Sequence, residues 1–282
     1  MAGMNELVST GWLADHAGEP ALVVLDASAH LPTAGRDAAA EHEAAHIPGA
    51  RFLDLPSLTD RSSPVPAALP TADQFAARLA ELGIGAEMRV VLYDDSDIRT
   101  AARAWYMFRQ HGFTDVAILD GGLAKWRAEG RPLESGTPGA QPAGDWQAQD
   151  GGMAVRGKAD LLANLDSGAE QVLDARSRPR FTAEEPEANP ALAGGHIPGS
   201  LNLPYKAMFA PDGTFLPPAE LRTAFEAAGI DWARPVVTTC GSGVTAAVLL
   251  FAMRLAGKTD TALYDGSWSE WGADPATPKA TG

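Results

Sequence analysis

The chain repeats itself once, at the length of a domain. LVVLDAS at 22–28 returns as QVLDARS at 171–177, and AHIPGAR at 45–51 as GHIPGSL at 195–201. RVVLYDDSD at 89–97 returns as PVVTTCGSG at 235–243, and AILDGGLAKW at 117–126 as ALYDGSWSEW at 262–271. The offsets are 148 for Asp26 and Asp174, 150 for His46 and His196, and 145 for both Asp95 and Cys240 and Asp120 and Asp265. Four landmarks in one order at a nearly constant offset mark an internal duplication. The period is far too long for a solenoid unit, so the two halves must fold alike.

Each half alternates short β-branched runs with segments of helical spacing. In the first, the pattern predicts a helix over 9–16, strands at 22–27 and 50–53, and a helix from a Thr71 cap to Leu82. Strand 89–94, helix 99–111, strand 116–120 and helix 122–129 follow. In the second it predicts helix 157–166, strands 171–175 and 201–204, helix 218–228, strand 235–239, helix 245–256, strand 261–265 and helix 267–271. Such alternation implies an α/β architecture, with a mainly parallel sheet flanked by helices on both faces in each half. The expected boundaries are a first domain over 1–132, a Pro/Gly-rich linker over 133–152 and a second domain over 153–282.

A net charge of −14 argues against a surface that tracks phosphates, so nucleic acid is not expected as a partner. The N-terminus lacks a basic region followed by an apolar run, and no apolar stretch reaches the ~20 residues that span a bilayer. No membrane association is expected. A single cysteine, Cys240, allows no internal disulfide and fits a reducing cytoplasm. No His, Cys or Asp cluster has the spacing of metal ligands, and neither a metal nor a cofactor is expected.

Cys240 stands where strand 235–239 turns into helix 245–256, in a loop carrying Gly241 and Gly243. A lone cysteine is usually a small buried hydrophobe. Here, however, a tight turn and a helix start bring backbone N–H groups and partial positive charge towards the sulfur, an arrangement suited to an anion. Phosphatase chemistry on such a loop needs an arginine six residues after the cysteine, and that position is Ala246. His46 and His196 recur in both halves, only one of which has the cysteine, so both are expected to be structural.

Two tandem α/β halves, the HIPGA and HIPGS segments, the run from Asp174 to Pro204 and the CGSGVTA loop together resemble the rhodanese superfamily of sulfurtransferases. The likeness spans essentially the whole chain. The loop is its most specific part and resembles that of the 3-mercaptopyruvate type, since thiosulfate enzymes carry basic residues after the cysteine. The resemblance implies two rhodanese-like domains and a ping-pong transfer in which Cys240 takes sulfur as a persulfide. It implies Cys240 and Ser242 as catalytic residues, with Arg180, Gly241, Gly243, Val244 and Thr245 binding substrate. The implied partners are a small-molecule sulfur donor and an external acceptor, either cyanide or a thiol such as thioredoxin or glutathione.

The pattern departs from the family in three places. Asn189 stands where mercaptopyruvate enzymes carry a second arginine, leaving Arg178 as a nearby substitute. Pro56 and Ala67 stand where some members carry an Asp and a His, with Asp54 the nearest carboxylate. Arg176 is expected to be structural, and the first domain, with Asp95 opposite Cys240, is not expected to form a second active site. A thiosulfate sulfurtransferase and a low-activity sulfur carrier or regulatory binding module are the alternatives.

Overall fold

A computed structural model describes residues 4–136, 139, 141–149 and 151–282. The chain falls into two compact units. One comprises the chain through Asp60 with Leu69–Met153 and Ala210–Phe215; the other comprises Arg61–Ala68, Ala154–Phe209 and Leu216–Gly282.

The first unit runs β1 (Leu7–Val8), α1 (Thr10–His16), β2 (Leu22–Asp26), α2 (Ala38–Ala44), β3 (Arg51–Phe52), α3 (Ala72–Glu81), β4 (Arg89–Tyr93), α4 (Ala101–Gln110), β5 (Val116–Leu119) and α5 (Gly122–Ala128). Its strands pair in the order β1-β5-β4-β2-β3, all parallel. The second unit runs β6 (Ala154–Arg156), α6 (Lys158–Ser167), β7 (Gln171–Asp174), α7 (Arg178–Thr182), β8 (Leu201–Asn202), α8 (Pro218–Ala227), β9 (Val236–Thr239), α9 (Val244–Leu255), β10 (Thr261–Tyr264) and α10 (Ser267–Trp271). Its order, β6-β10-β9-β7-β8, is the same topology, again all parallel.

The strands β5, β7, β9 and β10 are buried along their whole length, as sheets covered by helices on both faces require. Helix α9 is apolar nearly all round, with Ala246 to Met253 buried, which suits a core helix of twelve residues. Among the described residues no helix is long and apolar enough to cross a membrane. Helix α3 opens on a reciprocal capping box between Thr71 and Gln74, a device contributing about 1 kcal/mol. The elements not expected from the pattern are the short edge strands β1 and β6 and the helices α2 and α7, of seven and five residues.

The duplication persists at atomic detail. Asp26 Oδ1 accepts the N–H of Ser28 at 3.0 Å, and Asp174 Oδ1 that of Arg176 at 2.9 Å. Trp126 Nε1 donates to Pro132 O and Trp271 Nε1 to Pro278 O, each at 2.8 Å.

The expected linker 133–152 is, over much of its described length, part of the first unit rather than a free spacer. Trp146 is buried against Phe75 and Phe113. Gly144 N, Gln149 N and Gly152 N donate to Ala80 O, His111 O and Gln110 O. The glycines serve close approach: a Cβ on Gly144 would lie 2.1 Å from Ile84 O, and one on Gly152 1.7 Å from Arg109 O. Composition alone reads such glycines as flexibility.

Candidate active site

The strand β9 delivers Cys240 at its C-terminal end, where ligands meet open α/β sheets. Cys240 is 2% exposed, whereas Gly241, Ser242, Val244 and Thr245 are half-buried, so the outer face of the loop reaches solvent. Gly243 adopts φ +78°, a left-handed conformation that glycine takes without steric cost, and α9 begins at the next residue. The first N–H groups of a helix have no partner within it and carry partial positive charge, so the first turn of α9 offers donors to an anion.

The underside of the loop is fastened to α10. Cys240 O accepts from Trp268 N at 3.0 Å, and Gly241 O from Ser269 N at 2.8 Å and Ser269 Oγ at 2.6 Å. Cys240 N donates to Ser267 Oγ at 3.3 Å, and that hydroxyl donates to Tyr264 O at 2.8 Å. Ser267 is fully buried and held at φ +47°, an uncommon conformation for a non-glycine residue. The DGSWSEW segment thus supplies the floor of the loop, a role its sequence resemblance alone did not define.

An ion-pair chain leads from the sheet to the loop. Arg176, 2% exposed, grips Asp174 through Nε and Nη2, donates to Gly195 O and lies 4.4 Å from the Trp268 ring centre. Its Nη1 donates to Glu187 Oε1 at 2.7 Å. Burial opposes the charge of Arg176, but Asp174 and Glu187 outweigh it and raise its pKa. The other oxygen of Glu187 accepts from Arg180 Nη2 at 2.5 Å. A Cβ built on Gly241 would lie 3.5 Å from that same Nη2, so the guanidinium sits beside the loop, with about a third of its side chain exposed. Arg176 is thus a structural member of this chain, whereas Arg180 presents itself at the surface.

The turn carrying Arg180 is itself clamped. His196 stacks on Phe181 at 3.7 Å between ring centres, and its Nδ1–H donates to Phe181 O at 2.8 Å. In the first unit, His46 Nδ1–H donates to His42 O at 2.7 Å. Each histidine spends a ring proton on a backbone carbonyl.

The remaining candidates lie less centrally. Arg178 is exposed, 5.9 Å from the Phe181 ring centre. Asn189 is exposed and folds its side chain back to accept from Ala191 N at 3.0 Å, so it makes no clamp. Asp54 belongs to the first unit, where its carbonyl accepts from Ser57 Oγ. Glu187, which the sequence reading passed over, lies two residues before Asn189. The signal available was an acid seven residues after an arginine expected to bind substrate.

Strand register corrects the counterpart of Cys240. Asp26 pairs with Tyr93 and Asp174 with Thr239, so the residue after each strand end is Asp94 in one unit and Cys240 in the other. The expected counterpart, Asp95, instead pairs with Arg36 and Arg127. The loop between β4 and α4 is three residues longer than that between β9 and α9, whereas α4 is two residues shorter than α9, and the net difference of one shifts a constant-offset alignment by one place. Asp94 is buried, and its carboxylate accepts Ser96 N at 3.1 Å and Ala101 N at 2.7 Å. Burial pushes its pKa up to about 6, against the pull of those N–H groups. The first unit therefore fills its own helix-start anion position with a side chain.

Among the described residues no cluster of His, Cys, Asp or Glu could hold a metal ion. The model of the rhodanese-like domain matches twice, over residues 9–129 and 158–274. The human 3-mercaptopyruvate sulfurtransferase is 43% identical over 94% of this chain and 91% of its own length. The bovine thiosulfate sulfurtransferase is 40% identical, with the same coverage of 94% and 91%. Among solved structures, Escherichia coli SseA, described as a 3-mercaptopyruvate sulfotransferase with the "Rhodanese" fold, superposes with a TM-score of 0.85 at 37% identity. It covers 95% of this chain and 100% of its own. Two matched domains, the shared topology and relatives aligned over nearly the full length make this chain a two-domain sulfurtransferase of the rhodanese family.

Proposed function

We propose that the protein moves sulfane sulfur from 3-mercaptopyruvate through a persulfide on Cys240 to an external thiol or cyanide, releasing pyruvate. The observation that carries the reading is the placement of Arg180 beside Gly241, next to a cysteine loop that has no cation of its own. A donor whose carboxylate lies away from its sulfur suits that spacing. Thiosulfate, a compact dianion, would favour a cation within the loop.

The Cys240 thiolate attacks the donor sulfur. An S–S bond forms, the C–S bond breaks and its electron pair stays on carbon as the enolate of pyruvate. The proton of the donor thiol balances that carbanion, leaving a persulfide anion on Cys240. N–H groups from Gly241 through Gly243, Val244 and Thr245 cradle this charge, and the Ser242 and Thr245 hydroxyls add donors. Arg180 holds the donor carboxylate through guanidinium N–H groups that Glu187 does not occupy. No second cysteine exists to resolve the persulfide, so the acceptor must come from outside. A lone thiol of this kind works in a reducing compartment, and we assign the protein to the cytoplasm on that ground.

Thiosulfate is the second donor to weigh, because the bovine relative carries that name at nearly the same identity as the human one. Measuring kcat/KM for both donors side by side decides. A higher value for mercaptopyruvate, with stoichiometric pyruvate, is the expected result; a higher value for thiosulfate removes the donor assignment.

A further inference from the structure

Glu187 has two oxygens and spends each on a different arginine: Oε1 on Arg176 at 2.7 Å and Oε2 on Arg180 at 2.5 Å. Its side chain is 2% exposed, a costly place for a carboxylate with no partner. The two arginines depend on it unequally. Arg176 is also held by Asp174, Gly195 O and Trp268. Arg180 lies at the surface on a five-residue turn, and Glu187 fixes the guanidinium arm that faces Gly241. An arginine side chain free to sample its rotamers loses conformational entropy when it binds, and one already pinned has lost that freedom in advance.

We propose that Glu187 is a positioning residue for sulfur transfer: it anchors Arg180 to the buried Arg176–Asp174 pair and so holds the guanidinium ready at the Cys240 loop. The proposal rests on the reading of Arg180 as the grip on the donor carboxylate. A purely structural Glu187 would support Arg176 and leave donor binding unchanged.

Three comparisons test it, with mercaptopyruvate as donor and cyanide as acceptor. In Glu187→Gln the donor KM is expected to rise about tenfold, the size of one charge-assisted hydrogen bond, with kcat held within about twofold by the same argument that ground-state positioning is what is lost. Discharge of preformed persulfide to cyanide is expected to be unchanged. In the Arg180→Ala background, Glu187→Gln is expected to add nothing to KM, because the two act in series; additive effects overturn the proposal. The third readout needs no turnover. Phenylglyoxal is expected to modify Arg180 several-fold faster in Glu187→Gln than in the unaltered protein, with exposed Arg222 as internal standard. An unchanged rate at Arg180 overturns the proposal whatever the donor proves to be. If Arg180→Ala leaves KM untouched, the carboxylate reading fails, and the labelling rate still decides whether Glu187 holds Arg180. Should Glu187→Gln not fold, Glu187→Asp keeps the buried charge but is too short to span both arginines, and the same comparisons apply with the same outcomes.

Discussion

The backbone N–H of Cys240 meets the hydroxyl of Ser267 at 3.3 Å, and Ser267 holds a left-handed backbone conformation beneath the loop. The strained residue and the nucleophile are thus one hydrogen bond apart. A left-handed conformation costs a non-glycine residue roughly 1–2 kcal/mol, and a buried N–H left without a partner roughly 1–3 kcal/mol. Ser267→Ala loses the hydrogen bonds and keeps the strain, whereas Ser267→Gly loses the bonds and relieves the strain. Urea unfolding should therefore rank the glycine variant above the alanine variant by about 1 kcal/mol after the extra chain entropy of glycine, with both below the parent. The reverse order would mean that the positive φ stores no strain.

Arg180→Ala should raise the mercaptopyruvate KM by roughly 10- to 150-fold, the range spanned by a charge-assisted hydrogen bond to a carboxylate. Asn189→Arg should lower it, because Asn189 now turns back on Ala191 and offers the donor no charge. Steady-state kinetics on the two variants checks both directions. An unmoved KM in Arg180→Ala removes that residue from the site.

Asp94 gives a pH signature to the first unit. Its folded pKa, about 6, lies above the ordinary carboxylate value of 3.8, so the folded state binds the extra proton. Stability from this group is fully present below the ordinary value and is lost as pH rises through about 6, amounting to about 3 kcal/mol. Asp94→Asn cannot ionise. It sacrifices one backbone hydrogen bond at every pH, but its stability relative to the parent should improve by about that amount between pH 4 and pH 7. Denaturant titrations of both proteins across this range measure it, and parallel curves would place the Asp94 pKa at its ordinary value.

The large features were legible in the sequence because they rest on periodicity and repetition. The buried strands, the alternation with helices and the Cys240 loop all announce themselves by residue type. What escaped were facts of register and partnership. Asp94 rather than Asp95 takes the place of Cys240 because the three extra residues between β4 and α4 are offset by only two fewer in α4 than in α9, a net difference of one that a fixed offset hides. Trp146 sat in a stretch whose glycines suggest freedom, yet those glycines allow close packing on Ile84 and Arg109. Glu187 looked like one acid among many until its two oxygens were seen on two arginines.

Cys240→Ser should fold like the parent, since the exchange is nearly isosteric at a position tied down by backbone bonds to Trp268 and Ser267. It should show no sulfur transfer. Residual turnover above background would move the chemistry to another residue.

The most direct measurement is the mass of the intact protein after exposure to 3-mercaptopyruvate without an acceptor. A gain of one sulfur atom per chain is expected, localised to the Cys240 peptide, with one pyruvate released and the gain reversed by cyanide. No gain, or an equal gain in Cys240→Ser, would contradict it.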